Sequence, residues 1–305
     1  MENFYMIKWG FDFNDNYNYG ANISLLENDS IRFSSPFMPT GTPIKTWYSR
    51  TEFHSARKSP MLPILMNGKG YNIQVQAEFD TSDAAQLVIE FFNVNNDVIE
   101  KIHFKELDGH FIFPEEAISY NVQLVNKKHE FIIFKYLTIF SDSLKERYEV
   151  KTNKSTEAIF LKVRHPYEGI KTNIVVQKKA KYMTSLVIED YMNYYFLIGD
   201  QSEKAWLEAI TYLCTDLQNN QEVHHSLSIE RGIRFDTLED KFKLVPYVLE
   251  SLVPSCKGTN VGQKKTTGWK NLKDRVQINE QVIQILQQLV KKQKSLNVNR
   301  ISNEQ

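Results

Sequence analysis

The run Tyr71-Asn72-Ile73-Gln74-Val75-Gln76-Ala77-Glu78-Phe79 alternates apolar and polar side chains along its whole length. Successive side chains of a β-strand point to opposite faces, so this run predicts a strand with one buried and one solvated face. Further apolar runs occupy residues 87–92, 98–104, 120–125 and 131–138, and turn-forming clusters at 67–70, 93–97 and 108–109 separate them. Short strands and turns at this spacing predict an antiparallel β-sandwich over residues 1–140.

The pattern of the chain changes after residue 140. Residues 141–156 are polar and charged, which predicts a linker. Two short apolar runs follow, and beyond them apolar residues recur at helical spacing. Capping residues predict helix starts at Ser202 and Asp236, and a third apolar stripe predicts a helix over 272–289. The sequence therefore predicts a mainly α-helical C-terminal region over residues 157–305, available to bind a partner.

The overall composition limits the class of protein. The chain has 305 residues, and its 37 Lys or Arg balance its 37 Asp or Glu, whereas general nucleic-acid binders usually carry a basic excess. Only Cys214 and Cys256 are present, no basic segment followed by an apolar run opens the chain, and no apolar stretch reaches about 18 residues. These features predict a cytoplasmic protein without nucleic-acid binding. From Lys257 onward the chain carries ten Lys or Arg against three Asp or Glu, which suits a solvated helix or contact with an anionic membrane face or an acidic partner.

Recognisable catalytic and metal-binding patterns are absent from the sequence. No nucleophile elbow, phosphate loop or dinucleotide fingerprint occurs, and neither cysteine has a C-x-x-C partner. Asp12, Asn14 and Asn16 imitate the start of a calcium loop, but Tyr17 stands where the loop requires glycine. We therefore predict a protein that is not an enzyme and has no catalytic residue, metal site or cofactor.

One segment is rich in proline and is neither a regular strand nor an ordinary loop. It reads Pro36-Phe37-Met38-Pro39-Thr40-Gly41-Thr42-Pro43-Ile44-Lys45-Thr46-Trp47-Tyr48-Ser49-Arg50, and Ser59-Pro60-Met61-Leu62-Pro63-Ile64-Leu65 follows shortly after it. The pattern resembles the accessory secretory protein three family of the bacterial accessory Sec system, in which an M-P-[ST]-G-T segment precedes a tryptophan and later an L-P-[IL]-L. The later stretch Phe111–Tyr120 is also similar to that family. The resemblance covers roughly residues 5–140.

The resemblance implies a fold and a function. The expected fold of the N-terminal half is a jelly roll like that of a carbohydrate-binding module. The expected role is that of an adaptor that assists export of serine-rich-repeat glycoprotein adhesins. The implied partners are two other accessory secretory proteins, an accessory motor ATPase, the glycosylated adhesin and the membrane translocon. A stand-alone carbohydrate-binding module is the alternative.

The Pro-rich segment also supplies the predicted binding residues. A sugar site needs an aromatic ring to stack on the apolar face of a pyranose, with planar hydrogen-bonding groups beside it. Trp47, Tyr48, Arg50 and Arg57 have these chemistries and lie close together in sequence, so we predict that they bind a glycan or a partner. A tryptophan beside prolines is also typical of a buried core residue, and this second interpretation stays open.

Overall fold

A computed structural model of the chain describes residues 2–10, 15–26, 30–51, 60–81, 83–152, 158–199, 209–210, 212–213, 216 and 226–238. They belong to two compact units, the first drawn from Met1–Lys145 and Ala180–Glu189 and the second from Glu146–Lys179 and Asp190–Gln305. No helix within the described ranges is long and apolar enough to cross a membrane.

The first unit is an antiparallel β-sandwich of two sheets. Its strands are β1 (Glu2–Ile7), β2 (Asn22–Leu25), β3 (Ile31–Ser34), β4 (Pro43–Tyr48), β5 (Gly70–Phe79), β6 (Ala85–Phe92), β7 (Val98–His103), β8 (Asp108–Ile112), β9 (Ser119–Asn126), β10 (Ile132–Ser141) and β14 (Met183–Ile188). A seven-stranded sheet runs β14-β1-β10-β3-β2, with β5 on β10 and β8 on β5. A four-stranded sheet runs β4-β9-β6-β7.

The core of the first unit lies between these sheets. Along β5, Tyr71, Ile73 and Val75 are buried whereas Glu78 is exposed, as the alternation of side chains requires. The buried side chains join one core cluster with residues of β4, β6, β9 and β10. Burial of one face of each sheet against the other supplies the main stabilisation of the sandwich.

The second unit is built on a mixed β-sheet. Helix α1 (Asp142–Arg147) follows β10, and the amide of Leu144 in its first turn donates to Ser141 Oγ at 3.2 Å. The strands of the second unit are β11 (Tyr148–Thr152), β12 (Ile159–Val163), β13 (Lys171–Lys178), β15 (Asn193–Gly199) and β16 (Ser226–Arg231), in the order β11-β12-β15-β13-β16. Strand β13 is parallel to both β15 and β16.

The prediction of a mainly α-helical C-terminal region after the sandwich is wrong. The described part of residues 157–305 is mostly β-sheet, and α1 is the one complete α-helix within the described ranges. Residues 209, 210, 212, 213 and 216 of the helix predicted after Ser202 are helical. The segment at Asp236 begins as a 3₁₀ turn, Phe235–Thr237, and the third predicted helix lies outside the described residues.

The physical reason for this error lies in strand β15. Strand β15 pairs with β12 on one side and with β13 on the other. All seven of its residues are buried, so both of its faces are covered as well. A strand buried on both faces has no polar alternation, so periodicity does not distinguish it from a buried helix. Of the predicted linker, Ser141 ends β10, residues 142–152 form α1 and β11, and residues 153–156 lie outside the described ranges. The division of the chain at 141–156 into separable domains stays a prediction.

Candidate functional site

The first predicted binding residue, Trp47, lies in the core. Its side chain has no exposed surface, and its indole Nε1 donates to the carbonyl of Lys8 at 2.9 Å. Its ring lies 5.3 Å from that of Phe134 and 6.1 Å from that of Trp9, measured between centroids. The structure thus places this ring where it supports the sandwich and offers no surface for stacking.

Tyr48 and Arg50 lie at the end of β4. Tyr48 is half-buried and Arg50 is exposed, whereas Arg57 lies outside the described residues. The carbonyl of Tyr48 accepts hydrogen bonds from the amides of Met61 and Leu62, at 2.9 and 3.1 Å. The end of β4 therefore holds the second Pro-rich stretch against the sandwich.

The M-P-T-G-T sequence forms a turn, residues 38–42, that Asn126 holds in place. The side-chain amide of Asn126 donates to the carbonyls of Met38 and Pro39 at 2.9 and 3.1 Å, and its backbone pairs with Gly41 and Thr42. Because the amide nitrogen is used in this way, the Asn126 oxygen faces His129 Nδ1 at 2.7 Å, which must carry the proton. Burial lowers the pKa of His129, against an opposing effect of Asp80. The motif turn is thus fixed to the strand end by buried hydrogen bonds.

Residues 60–68, which we call the display loop, combine buried anchors with bare apolar side chains. Met61, Leu62 and Leu65 are buried in the core, whereas Ile64 is 91% exposed and Met66 is 69% exposed. An apolar side chain left so fully in water gains most when another surface covers it. The loop therefore leaves two apolar side chains exposed to solvent.

The backbone of the display loop is held by hydrogen bonds on both sides of Ile64. The Tyr120 hydroxyl donates to the carbonyl of Pro63 at 2.9 Å, and the Met66 amide donates to the Tyr71 hydroxyl at 2.9 Å. The Gly68 amide donates to the carbonyl of Phe113 at 2.8 Å. These bonds fix the conformation in which Ile64 projects.

A second loop, residues 114–118, lies beside the display loop. The side-chain amide of Asn67 lies 3.1, 2.6 and 2.9 Å from the carbonyls of Pro114, Glu115 and Ala117. The next residue, Ile118, is exposed, and its amide donates to the carbonyl of Phe92 at 2.9 Å. The exposed residues Ile64, Met66 and Ile118 are here called the display surface.

A polar network crosses the four-stranded sheet next to Tyr48. Tyr48 pairs with Asn121 in the β4–β9 register, Asn121 pairs with Glu90, and Glu90 pairs with Lys101. The Glu90 carboxylate accepts from Asn121 at 3.1 Å and Gln123 at 2.8 Å, and it lies 2.7 Å from the Lys101 ammonium.

Burial and the polar partners of Glu90 have opposite effects on its pKa. Burial acts to raise the pKa of Glu90, but the hydrogen bonds from Lys101, Asn121 and Gln123 together with the Lys101 charge lower it overall. A carboxylate held ionised by three donors is a poor base. The three donors lie on β9 and β7, on either side of the strand that carries Glu90, so the network links these strands. Within the described part of the chain, no three or more His, Cys, Asp or Glu side chains are grouped to hold a metal ion.

The Pro-rich motif includes Ile64 and ends at Leu65, and neither Ile64 nor Met66 was predicted to be a binding residue. In the stretch Leu62-Pro63-Ile64-Leu65-Met66, apolar residues are both buried and exposed, and no polar residue marks the exposed ones. An apolar run between prolines and a glycine turn was the one local feature of the sequence that could have indicated an exposed apolar loop.

The fold and the site define a β-rich, two-unit protein whose first unit carries exposed apolar side chains on loops held by hydrogen bonds. The family described as accessory Sec secretory system ASP3 matches residues 16–141 of the chain. An accessory Sec system ASP3 protein of Streptococcus gordonii is 31% identical over 124 residues, which are 40% of this chain and 77% of the relative. The chain belongs to this family, and the resemblance predicted from the Pro-rich segment is confirmed.

A second curated relative and two solved structures extend the comparison. The ASP3 protein of Staphylococcus aureus (strain NCTC 8325 / PS 47) is 26% identical over 153 residues, covering 50% of this chain and 48% of the relative. The chain thus spans about half the length of that relative. A chain of accessory secretory proteins 1, 2 and 3 from Streptococcus pneumoniae is 30% identical, with a TM-score of 0.43, covering 44% of this chain and 94% of that one. A chain of the Glycosylation Associate Protein (Gap123) complex from Streptococcus agalactiae is 17% identical with a TM-score of 0.50, covering 90% and 89%, and shares the fold.

Proposed function

We propose that the chain is a non-enzymatic component of an accessory Sec system that works in the cytoplasm in a complex with two other accessory secretory proteins. In this role it assists the export of glycosylated serine-rich-repeat adhesins, which the complex passes to an accessory motor ATPase and the membrane translocon. Family membership supports the export role.

The observation that carries the assembly part of the proposal is the display surface. Covering an isoleucine or methionine that is otherwise exposed contributes roughly 1.5–3 kcal/mol per side chain. The hydrogen bonds that hold Pro63, Met66 and Gly68 fix the loop before binding, so little conformational entropy is lost when a partner covers it. A rigid surface with exposed apolar residues at its centre suits a protein partner.

The residues predicted from the sequence extend this surface. Tyr48 is the last residue of the strand that holds the display loop, Arg50 lies two residues beyond it, and Arg57 lies between them and the loop in the sequence. We assign Tyr48 and Arg50 to the partner interface around the display surface, and Arg57 stays a partner-binding residue predicted from the sequence alone. Trp47 supports them from the core and makes no contact with the partner.

Assembly is tested with Ile64→Asp in the full chain, co-expressed with the neighbouring accessory secretory proteins. We expect the variant to keep the wild-type melting temperature and to lose co-purification, because a charge replaces an apolar contact. The matched control is Phe37→Asp, since Phe37 is also 91% exposed but lies in the other Pro-rich stretch. Retention of the complex by Ile64→Asp would rule out the display surface as the interface.

The export role is tested by deletion of the gene. Adhesin synthesis should continue while the adhesin stays inside the cell, and the wild-type chain should restore its surface display. Normal surface display in the deletion strain would exclude the role in export.

A further inference from the structure

A series of aromatic rings extends from the core of the second unit to its surface. It begins at the buried Phe196 and Tyr194, whose centroids are 5.6 Å apart, and continues through the buried Tyr148. Tyr191 follows at 5.9 Å from Tyr148, and Tyr167 lies 6.2 Å from Tyr191. Tyr167 is 50% exposed, so the series ends in an aromatic ring in contact with water.

The two outer rings are held nearly parallel. Their planes differ by 17°, the Tyr167 hydroxyl donates to the carbonyl of Tyr191 at 3.2 Å, and the Tyr191 hydroxyl donates to the carbonyl of His165 at 3.5 Å. Each ring is therefore fixed at its far end as well as at its Cβ atom. A tyrosine has only two side-chain torsions, so this pair offers a large contact area at low entropic cost.

The buried end of the series is equally well ordered. The Tyr148 hydroxyl donates to the carbonyl of Asp190 at 3.1 Å, and the Asp190 amide donates to the Tyr194 hydroxyl at 3.0 Å. Burial raises the pKa of Tyr148 to about 12, so this hydroxyl stays a neutral donor. The segment that carries Tyr191 is thus tied to the core on both sides.

Polar side chains adjoin the pair in sequence and are exposed. Arg164 and His165 precede Tyr167, Glu168 follows it, and Asp190 precedes Tyr191. An exposed ring with exposed polar and charged residues near it in the sequence suits a ligand with one apolar face and a hydroxyl-bearing edge. A pyranose ring has this character, because its C–H face stacks on an aromatic ring while its hydroxyls bond to polar groups at the periphery.

We propose that Tyr167 and Tyr191 form a stacking platform for a neutral pyranose of a glycan chain. The proposal rests on the proposed function, in which the client is glycosylated, and it assigns glycan contact to the second unit. The buried Trp47 has no exposed ring, whereas Tyr167 does, so the platform lies at a position that the sequence did not predict.

The platform is tested by titrating the full chain with chitotriose and with cellotriose, using ligand-observed saturation-transfer NMR. The wild-type chain should bind at least one of these sugars. Tyr167→Leu, which keeps an apolar side chain but removes the ring, should weaken binding about tenfold, as expected for loss of one stacking ring. Tyr167→Phe should bind like the wild type, because the ring is kept.

The matched control for the platform is Tyr212→Ala. Tyr212 is also a partly exposed tyrosine of the second unit that stacks on another ring, Phe160, at 5.0 Å. It should leave sugar binding unchanged. Unchanged affinity in Tyr167→Leu, or no binding of either sugar by the wild type, would overturn the platform.

The two proposals fail in different ways. A chain that binds neither sugar but co-purifies with its partners loses only the platform. Sugar binding that depends on Tyr167, together with normal adhesin display in the deletion strain, supports the platform and removes only the export role.

Discussion

Side chains of the Pro-rich region in the first unit differ in burial. A buried one stabilises the fold, whereas an exposed one is available for binding. Trp47 packs against Trp9 and Phe134 and hydrogen-bonds to the Lys8 carbonyl, whereas Ile64, seventeen residues later, is 91% exposed. Both are apolar residues of the same Pro-rich region. The effect of a substitution should therefore depend on burial and not on membership of the motif.

Trp47→Ala should strongly destabilise the protein. Removal of a fully buried indole leaves a cavity and costs about 3–5 kcal/mol of unfolding free energy. Ile64→Ala should change that free energy by less than about 0.5 kcal/mol, because its side chain is exposed. Urea unfolding of both variants measures the difference, and equal stability of the two variants would contradict the burial of Trp47.

The sequence could predict residue types at the site better than their exposure. The prolines and Trp47 identified the family and a rigid segment, and the open alternative of a core tryptophan agrees with its position in the structure. The exposure of Ile64 depends on tertiary packing, because strands distant in the sequence cover some residues of the loop and leave others in water. No pattern in the neighbouring sequence indicates which residues are covered. Tyr167 and Tyr191 are twenty-four residues apart in sequence, so their stacking could not be predicted from spacing.

At the scale of elements, predictability follows the environment of each strand. Strand β5 has one buried and one solvated face, so its alternation identified it from the sequence. Strand β15 is covered on both faces and was missed. The parallel pairing of β15 with β13 adds to the difficulty, because the two strands are joined through residues that include β14 of the other unit.

The four-stranded sheet should lose stability in acid through Glu90. Its pKa is lowered below the ordinary value of 4.5 in the folded state, so the ionised carboxylate stabilises the fold above that value. The contribution is lost as the pH falls through the folded pKa, since the protonated group is neutral and no longer attracts the Lys101 ammonium by its charge. The difference in unfolding free energy between the wild type and Glu90→Gln should therefore shrink as the pH falls from about 5 through the folded pKa of Glu90.

Urea unfolding at several pH values measures this difference. Glu78→Gln is the control, because Glu78 pairs with Lys135 at 2.6 Å but its side chain is 60% exposed, where ion pairs contribute little. A constant difference between the wild type and Glu90→Gln across the acid range would show that the network does not hold the Glu90 carboxylate in its ionised form.

At the scale of the whole molecule, the first unit is formed from two segments that are separated in the sequence. The chain leaves the first unit after Lys145, enters the second, and returns with residues 180–189 before it continues in the second unit. The returning strand β14 pairs with β1 over six residues, and the Lys8 amide donates to the carbonyl of Tyr182 at 2.8 Å. Strand β1 is therefore paired on both sides, by β10 and by β14.

A chain that ends at Lys145 should consequently be less stable than the first unit within the full protein. Without β14, the backbone of β1 becomes an open edge, and open edges favour association between molecules. Appending residues 180–189 through a flexible Gly/Ser linker should restore a monomer, because the missing strand is returned to its own edge. Size-exclusion chromatography and thermal melting of the two forms provide the measurement. A monomeric, equally stable chain 1–145 would show that β14 is dispensable. Proteolytic cleavage within 141–156 should leave the two fragments associated until denaturant is added, because β14 of the C-terminal fragment still pairs with β1 of the N-terminal fragment.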